Sequence, residues 1–298
     1  MPRFLFPSGV ATETGAYVVV QVIGDDGSMI DGNLFADYRM KPEPEGFGTD
    51  WRAVSLCYRP SEDVVYAAGE NGEVARIAQT GNLEEFIAPA ENGPGLQGPI
   101  REIRLIGDDL YATGMGRQVY RRIGEGRWDH FLDDGLLDAS ERAAVGFTSI
   151  AGDGQGFFIA VGYQGEIWEF DGAWRQPDSP TNVLLNRVLR HGAKYYAAGQ
   201  VGTLLCREAE GWRVVDAPSF QHDIWDLASF RGYLYLGTSE GLFRTSDGEE
   251  IESVDLTGFT RQVHCAKLSA GAERLWCFGA EIVSTTVDGI RWQEEAIL

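Results

Sequence analysis

Apolar residues recur along this chain in short, strand-length blocks, and each block is cut by glycine. Short apolar runs bounded by turn residues are the pattern of strands, and helices barely feature. The blocks repeat as a unit: an apolar strand, a glycine, two variable residues, often a second glycine, then another strand. Copies read Val65-Tyr-Ala-Ala-Gly69-Glu-Asn-Gly72, Leu110-Tyr-Ala-Thr-Gly114, Ile159-Ala-Val-Gly162-Tyr-Gln-Gly165, Tyr196-Ala-Ala-Gly199-Gln-Val-Gly202, Tyr235-Leu-Gly237-Thr-Ser-Glu-Gly241 and Leu275-Trp-Cys-Phe-Gly279. The anchor glycines at 69, 114, 162, 199, 237 and 279 have a mean spacing of 42 residues. That is the length of one four-stranded propeller blade.

The expected fold is therefore all-β, a single β-propeller domain over residues 1–298. In each blade strand A precedes the anchor, as in 52–57 or 187–190, and strand B ends at it. Strand C follows the Gly-x-x-Gly turn, whose glycines are expected to supply positive φ. Strand D follows a second turn, often Asp-Gly or Glu-Gly and then Trp, as in Asp171-Gly172-Ala-Trp174, Glu210-Gly211-Trp212 and Asp288-Gly289-Ile-Arg-Trp292. Six copies account for 51–298. Residues 1–50 hold strand-like 4–6, 17–23 and 34–40, which is enough for a degenerate first blade and predicts seven blades. Six blades, with 1–50 as a cap or closing segment, is the alternative.

The order Gly-x-x-Gly, then Ser or Thr, Asp-Gly and Trp resembles the BNR or Asp-box repeat of sialidases and photosystem-assembly-factor propellers. Segments 237–248 and 279–292 are the best copies, and none has the whole box. The resemblance implies a propeller in which the box stabilises a turn. A sialidase-like glycoside hydrolase is one activity it implies, with arginines gripping a carboxylate. Against that, Tyr58-Arg59-Pro60 lacks the Ile of the family's arginine motif, and no nucleophilic Tyr with a paired Glu can be assigned. A scaffold or assembly factor is another implication, although such propellers usually carry export signals.

Charge narrows the partners. The chain has 45 Asp plus Glu against 25 Lys plus Arg, a net charge of −20. This argues against electrostatic binding to nucleic acid or an anionic membrane, because Lys and Arg carry phosphate binding. The apolar patch at the N-terminus is too short for a secretory signal, so the cytoplasm is expected. Cys57, Cys206, Cys265 and Cys277 have no metal-binding spacing and are expected to be reduced thiols. No motif calls for a metal or cofactor, and His130, His191, His222 and His264 form no legible catalytic set.

The D-to-A connections are the long ones, expected at 41–50, 89–99, 132–145, 176–184 and 216–223. They should share one face with the B-to-C turns, and elaborated loops on a rigid scaffold are the usual seat of binding. They carry Glu43, Glu45, Asp50, Glu91, Asp133, Asp134, Asp138, Glu141 and Asp223. Aligning the innermost strands on apolar positions puts Arg52, Arg101, Thr148, Arg187, Trp225 and His264 in one slot around the channel mouth. Those arginines either form an anion pocket or pair with Glu102 and Asp226 to tie blades together. A soluble acidic propeller without a catalytic motif fits a non-catalytic, immunity-type inhibitor. Monomeric when free, it would dock its acidic loops on a basic protein such as a toxin.

Overall fold

A computed structural model describes residues 3–29, 32–38, 45–87, 94–131, 145–259 and 263–295. The chain is all-β: seven four-stranded antiparallel sheets, each with its strands in sequence order, form the blades of a β-propeller. Helix among the described residues is confined to Pro94–Gln97 and two short 3-10 turns. None is long and apolar enough to cross a membrane.

The first 50 residues form a complete blade, with strands Arg3–Ala11, Ala16–Ile23, Asn33–Tyr38 and Glu45–Thr49. This settles the blade count at seven. It also corrects the expected 41–50 connection, since Glu45 begins the fourth strand. The first strands of blades 2 to 7 are Ala53–Arg59, Ile100–Ile106, Phe147–Gly152, Leu185–His191, Ile224–Phe230 and Lys267–Ala270.

The blades fall into two compact units. Val54–Asp216 holds blades 2 to 5. Its core is built of layers between neighbouring blades: Val64, Tyr66, Ile103 and Tyr120 form one, Tyr111, Phe147 and Phe158 a second, and Ile159, Val188 and Leu205 a third. Middle strands such as Val64–Gly69 are buried throughout because both faces are covered, so they read as unbroken apolar runs.

The other unit joins Met1–Ala53 to Ala217–Leu298 and holds blades 1, 6 and 7. Phe6, Val18 and Val20 of blade 1 pack on Trp276 and Phe278 of blade 7. The Phe6 amide donates to Ala280 O at 3.1 Å and the Ala11 amide to Ser269 Oγ at 2.9 Å. N-terminal and C-terminal blades are thereby bound as neighbours.

The two glycines of the repeat have separate duties. The second takes positive φ, as at Gly165 (70°) and Gly202 (66°), while the anchor does not. Beside the anchors Gly114, Gly162, Gly199 and Gly279 runs the backbone entering the blade, and a Cβ on Gly162 or Gly199 would collide with the carbonyl of Gly146 or Leu184. Close backbone approach, rather than turn conformation, explains why these anchors are glycine. In blade 6 Thr238, not Gly237, occupies the pairing position of the anchor, opposite Ile224.

The two Asp-Gly turns of blades 6 and 7 share one hydrogen-bond pattern. Thr245 Oγ1 donates to Asp247 Oδ1 and accepts from the Gly248 amide, and Asp247 accepts from the amides of Glu249 and Glu250. Thr286, Asp288, Gly289, Ile290 and Arg291 repeat it. Amide donors hold both aspartates below the ordinary carboxylate pKa.

One cysteine expectation is corrected. Cys265 and Cys277 form a disulfide with a Cα–Cα distance of 5.9 Å, while Cys57 and Cys206 are free and buried. Scatter along the sequence concealed the pair. Cys265 lies just before the first strand of blade 7, and Cys277 lies in the strand that folds back along it.

Candidate functional site

Within each unit the connections entering a blade hydrogen-bond to B-to-C turns, so these two kinds of loop share a face. The Met115, Tyr163 and Gln200 amides donate to the carbonyls of Pro99, Gly146 and Leu184, and the Cys265 amide donates to Thr238 O. The acidic-loop residues Glu43, Glu91, Asp133, Asp134, Asp138 and Glu141 lie outside the described residues. Asp50 is exposed, and Asp223 is half-buried just before the first strand of blade 6.

The described stem on either side of 132–144 is held firmly. On one side Phe131 sits among Tyr111, Phe158 and Phe170, and its amide donates to Val119 O. On the other, Glu166 Oε1 accepts from the Gly146 amide, and Oε2 accepts from Arg117 Nε at 2.7 Å and Trp168 Nε1 at 3.2 Å. The Val145 carbonyl accepts from the Gly116 amide.

The inner-strand slot needs a correction in register. Each well-paired first strand starts opposite the anchor position and then carries one extra residue, a β-bulge, which re-aims a side chain. The bulged residues are Arg101, Thr148, Asn186 and Trp225. Arg187 is one residue further in, at the level of Glu102, Ser149 and Asp226. Arg52 lies in the turn before its strand, and His264 lies outside its strand as well. The guanidinium ring of the sequence alignment thus reduces to Arg101, whose Nη1 meets Glu70 at 3.1 Å. Trp225 is 44% exposed, and His264 Nδ1 meets Ser239 O.

Sequence reasoning missed what the residue after the bulge does. In blades 3, 4 and 6 it reaches the first strand of the following blade, where Glu102 Oε2, Ser149 Oγ and Asp226 Oδ2 accept from the amides of Ile150, Val188 and Leu268; Ser55 of blade 2 makes a comparable tie, its Oγ donating to Ile103 O. The four are small or acidic and almost wholly buried. In Val54–Asp216, Glu102 Oε1 also accepts from Arg104 Nη1 at 3.3 Å and from Arg187 Nη1. In the other unit Lys267 Nζ stands 3.2 Å from Asp226 Oδ2. Arg187 thus joins Glu102 of a different blade, and Arg104 Nη1 also donates to Val188 O.

A second buried carboxylate device recurs between outer strands. Glu85 accepts two bonds from Arg122 and one each from Trp128 Nε1 and the Gly126 amide. Glu169 likewise accepts from Arg207, Trp212 Nε1 and Arg175. The Gly-Trp signal after strand C marked these turns without revealing the glutamate each Trp seeks.

No described groups assemble into a catalytic centre. His130, His191 and His222 each lie against separate aromatic rings, and no cluster of three or more His, Cys, Asp or Glu among the described residues is placed to hold a metal. A cleft of about 300 Å³ between the segments 255–259 and 290–294 is lined by Leu256, Phe259, Ile290 and Trp292 together with Asp255, Arg291 and Glu294, and holds no such cluster either.

Comparison with known proteins places these features. No family model matches the chain. It is 33% identical over 246 residues to the immune protein Tsi7 of Pseudomonas aeruginosa (strain PAO1), covering 81% of this chain and 79% of that protein. Among solved structures it resembles YCF48 from Cyanidioschyzon merolae (TM-score 0.67, 13% identity, 95% of both chains) and YCF48 bound to a D1 peptide (TM-score 0.64, 13% identity, 94% and 92%). It also resembles a chain of the COPII outer coat vertex on membranes (TM-score 0.69, 9% identity, 99% and 88%). At such identities these three speak to fold alone.

Proposed function

The chain belongs to the family of the immune protein Tsi7, and from that membership we propose that it is a non-catalytic immunity protein that neutralises a basic toxin. The carrying observation is the 33% identity to Tsi7 across most of both chains. The charge of −20 supports a basic partner, since complementary charge accelerates encounter and rejects wrong partners. The contact surface is the D-to-A loop face, with Asp50, Glu91, Asp133, Asp134, Asp138, Glu141 and Asp223 supplying negative charge; Glu43 and Glu45 drop out of it, because they precede or begin the fourth strand of blade 1. The firmly held stem around 132–144 favours presentation of that acid-rich segment. The chain acts in the cytoplasm, alone when free and without a cofactor.

The test is co-expression of the tagged chain with the protein encoded beside its gene. Growth is expected to be restored, and a stoichiometric complex to be retained at about 50 mM salt and weakened as salt screens the charges. Persistent growth inhibition with no retained neighbour overturns the proposal.

A further inference from the structure

Blade 5 carries a residue type poorly suited to the conformation its turn adopts. Its B-to-C turn is Gln200-Val201-Gly202, and Val201 adopts φ 54°. β-Branched residues are outliers in this left-handed region, where a turn is ordinarily filled by Gly or Asn. The same turn position in blade 4 is Gln164, at φ 57°, which is long, polar and unbranched. Val201 is also 63% exposed, so no core burial compensates for its backbone. At the same end of the blade, Val214 closes the last strand and is 47% exposed. The next amide, Val215, donates to Leu204 O at the start of the strand that follows the turn. Asp216 then follows, exposed.

A strained, exposed apolar side chain at the blade end that also carries a second exposed valine and a carboxylate is poor for folding and suited to contact. It matches one chemistry well. Lysine and arginine have aliphatic stems that lie along apolar surface while the charged end stays polar. We propose that the end of blade 5 that carries Val201, Val214 and Asp216 is a contact point for the basic toxin, taking the aliphatic stem of a partner Lys or Arg on valine and its charge toward the carboxylate. This rests on the immunity reading and adds a residue-level determinant of affinity that the acidic loops do not supply.

Val201→Gly and Val201→Asn suit the turn better than valine does. Both are expected to leave the thermal midpoint unchanged or raised, while the dissociation constant for the neighbour-encoded toxin rises about tenfold, mostly through faster dissociation. Val214→Ser is expected to weaken binding in the same sense. Binding by both Val201 variants within about twofold of wild type overturns the inference while leaving the immunity reading intact. A lowered thermal midpoint in both variants overturns the premise that valine is strained there. Absence of toxin binding by the wild-type chain, measured alongside, overturns the immunity reading and this inference with it.

Discussion

Glu102 accepts bonds from three directions: the Ile150 amide, Arg104 and Arg187. Removing one partner of a buried charged cluster leaves the others desolvated and uncompensated, which is where large losses arise. Glu102→Ala is therefore expected to cost about 3 kcal/mol or more in urea unfolding. Arg187→Ala should cost less, because Arg104 stays on the carboxylate. Arg101→Ala, whose pair with Glu70 is partly exposed, should cost under about 1 kcal/mol. Equal losses in all three would contradict the distinction between buried tie and surface pair. The same cluster bears on Cys57, whose thiol is pushed far above its ordinary pKa by burial first and by the Glu102 charge second. A thiol kept protonated is a poor nucleophile, so Cys57 should resist alkylation at neutral pH until the chain unfolds.

At the scale of strands, close backbone approach explains why the anchor position is glycine. Gly199→Ala places a methyl group against the Leu184 carbonyl, a backbone group that cannot turn aside. A loss of about 2 kcal/mol or more in the unfolding midpoint is expected; near-neutrality would show that the connection moves away cheaply. The outer carboxylates give a pH signature. Burial works to raise the pKa of Glu169, but bonds from Arg207, Trp212 and Arg175 outweigh it and hold the group below its ordinary 4.5. A depressed folded value means stability present above about pH 4.5 and lost as the pH falls through that lower value. Glu169→Gln should lower stability at neutral pH and flatten the decline in acid.

Much of this level was readable in the chain. Glycine spacing announced six blades because backbones approach closely at anchors such as Gly162 and Gly199, and the first blade was legible from its length and strand-like segments although no backbone crowds its Gly24. The inner slot slipped for a different reason. A β-bulge adds one residue without changing the apolar alternation around it, so Arg187 aligned with Arg101 although Asn186 is its counterpart. The disulfide and the Glu–Arg–Trp ties were hidden because they join residues that only strand pairing brings together.

At the scale of the molecule, two kinds of surface should govern two different rates. A net charge of −20 acts over a Debye length, about 10 Å at 0.1 M salt, and steers a basic partner before contact. Neutralising Asp133, Asp134, Asp138 and Glu141 together as amides is therefore expected to slow association several-fold at low salt and to flatten its salt dependence. Val201 has no charge to steer with; its contribution begins only on contact and belongs to dissociation. Stopped-flow association and wash-off dissociation, measured on the quadruple variant, on Val201→Gly and on the two combined, separate these roles. If they are independent, the combined variant shows the slowed association of one and the hastened dissociation of the other, with their free energies adding. If instead the amide variant changes only dissociation, the acidic segment is a short-range contact rather than a steering field, and the excess charge must act through other loops.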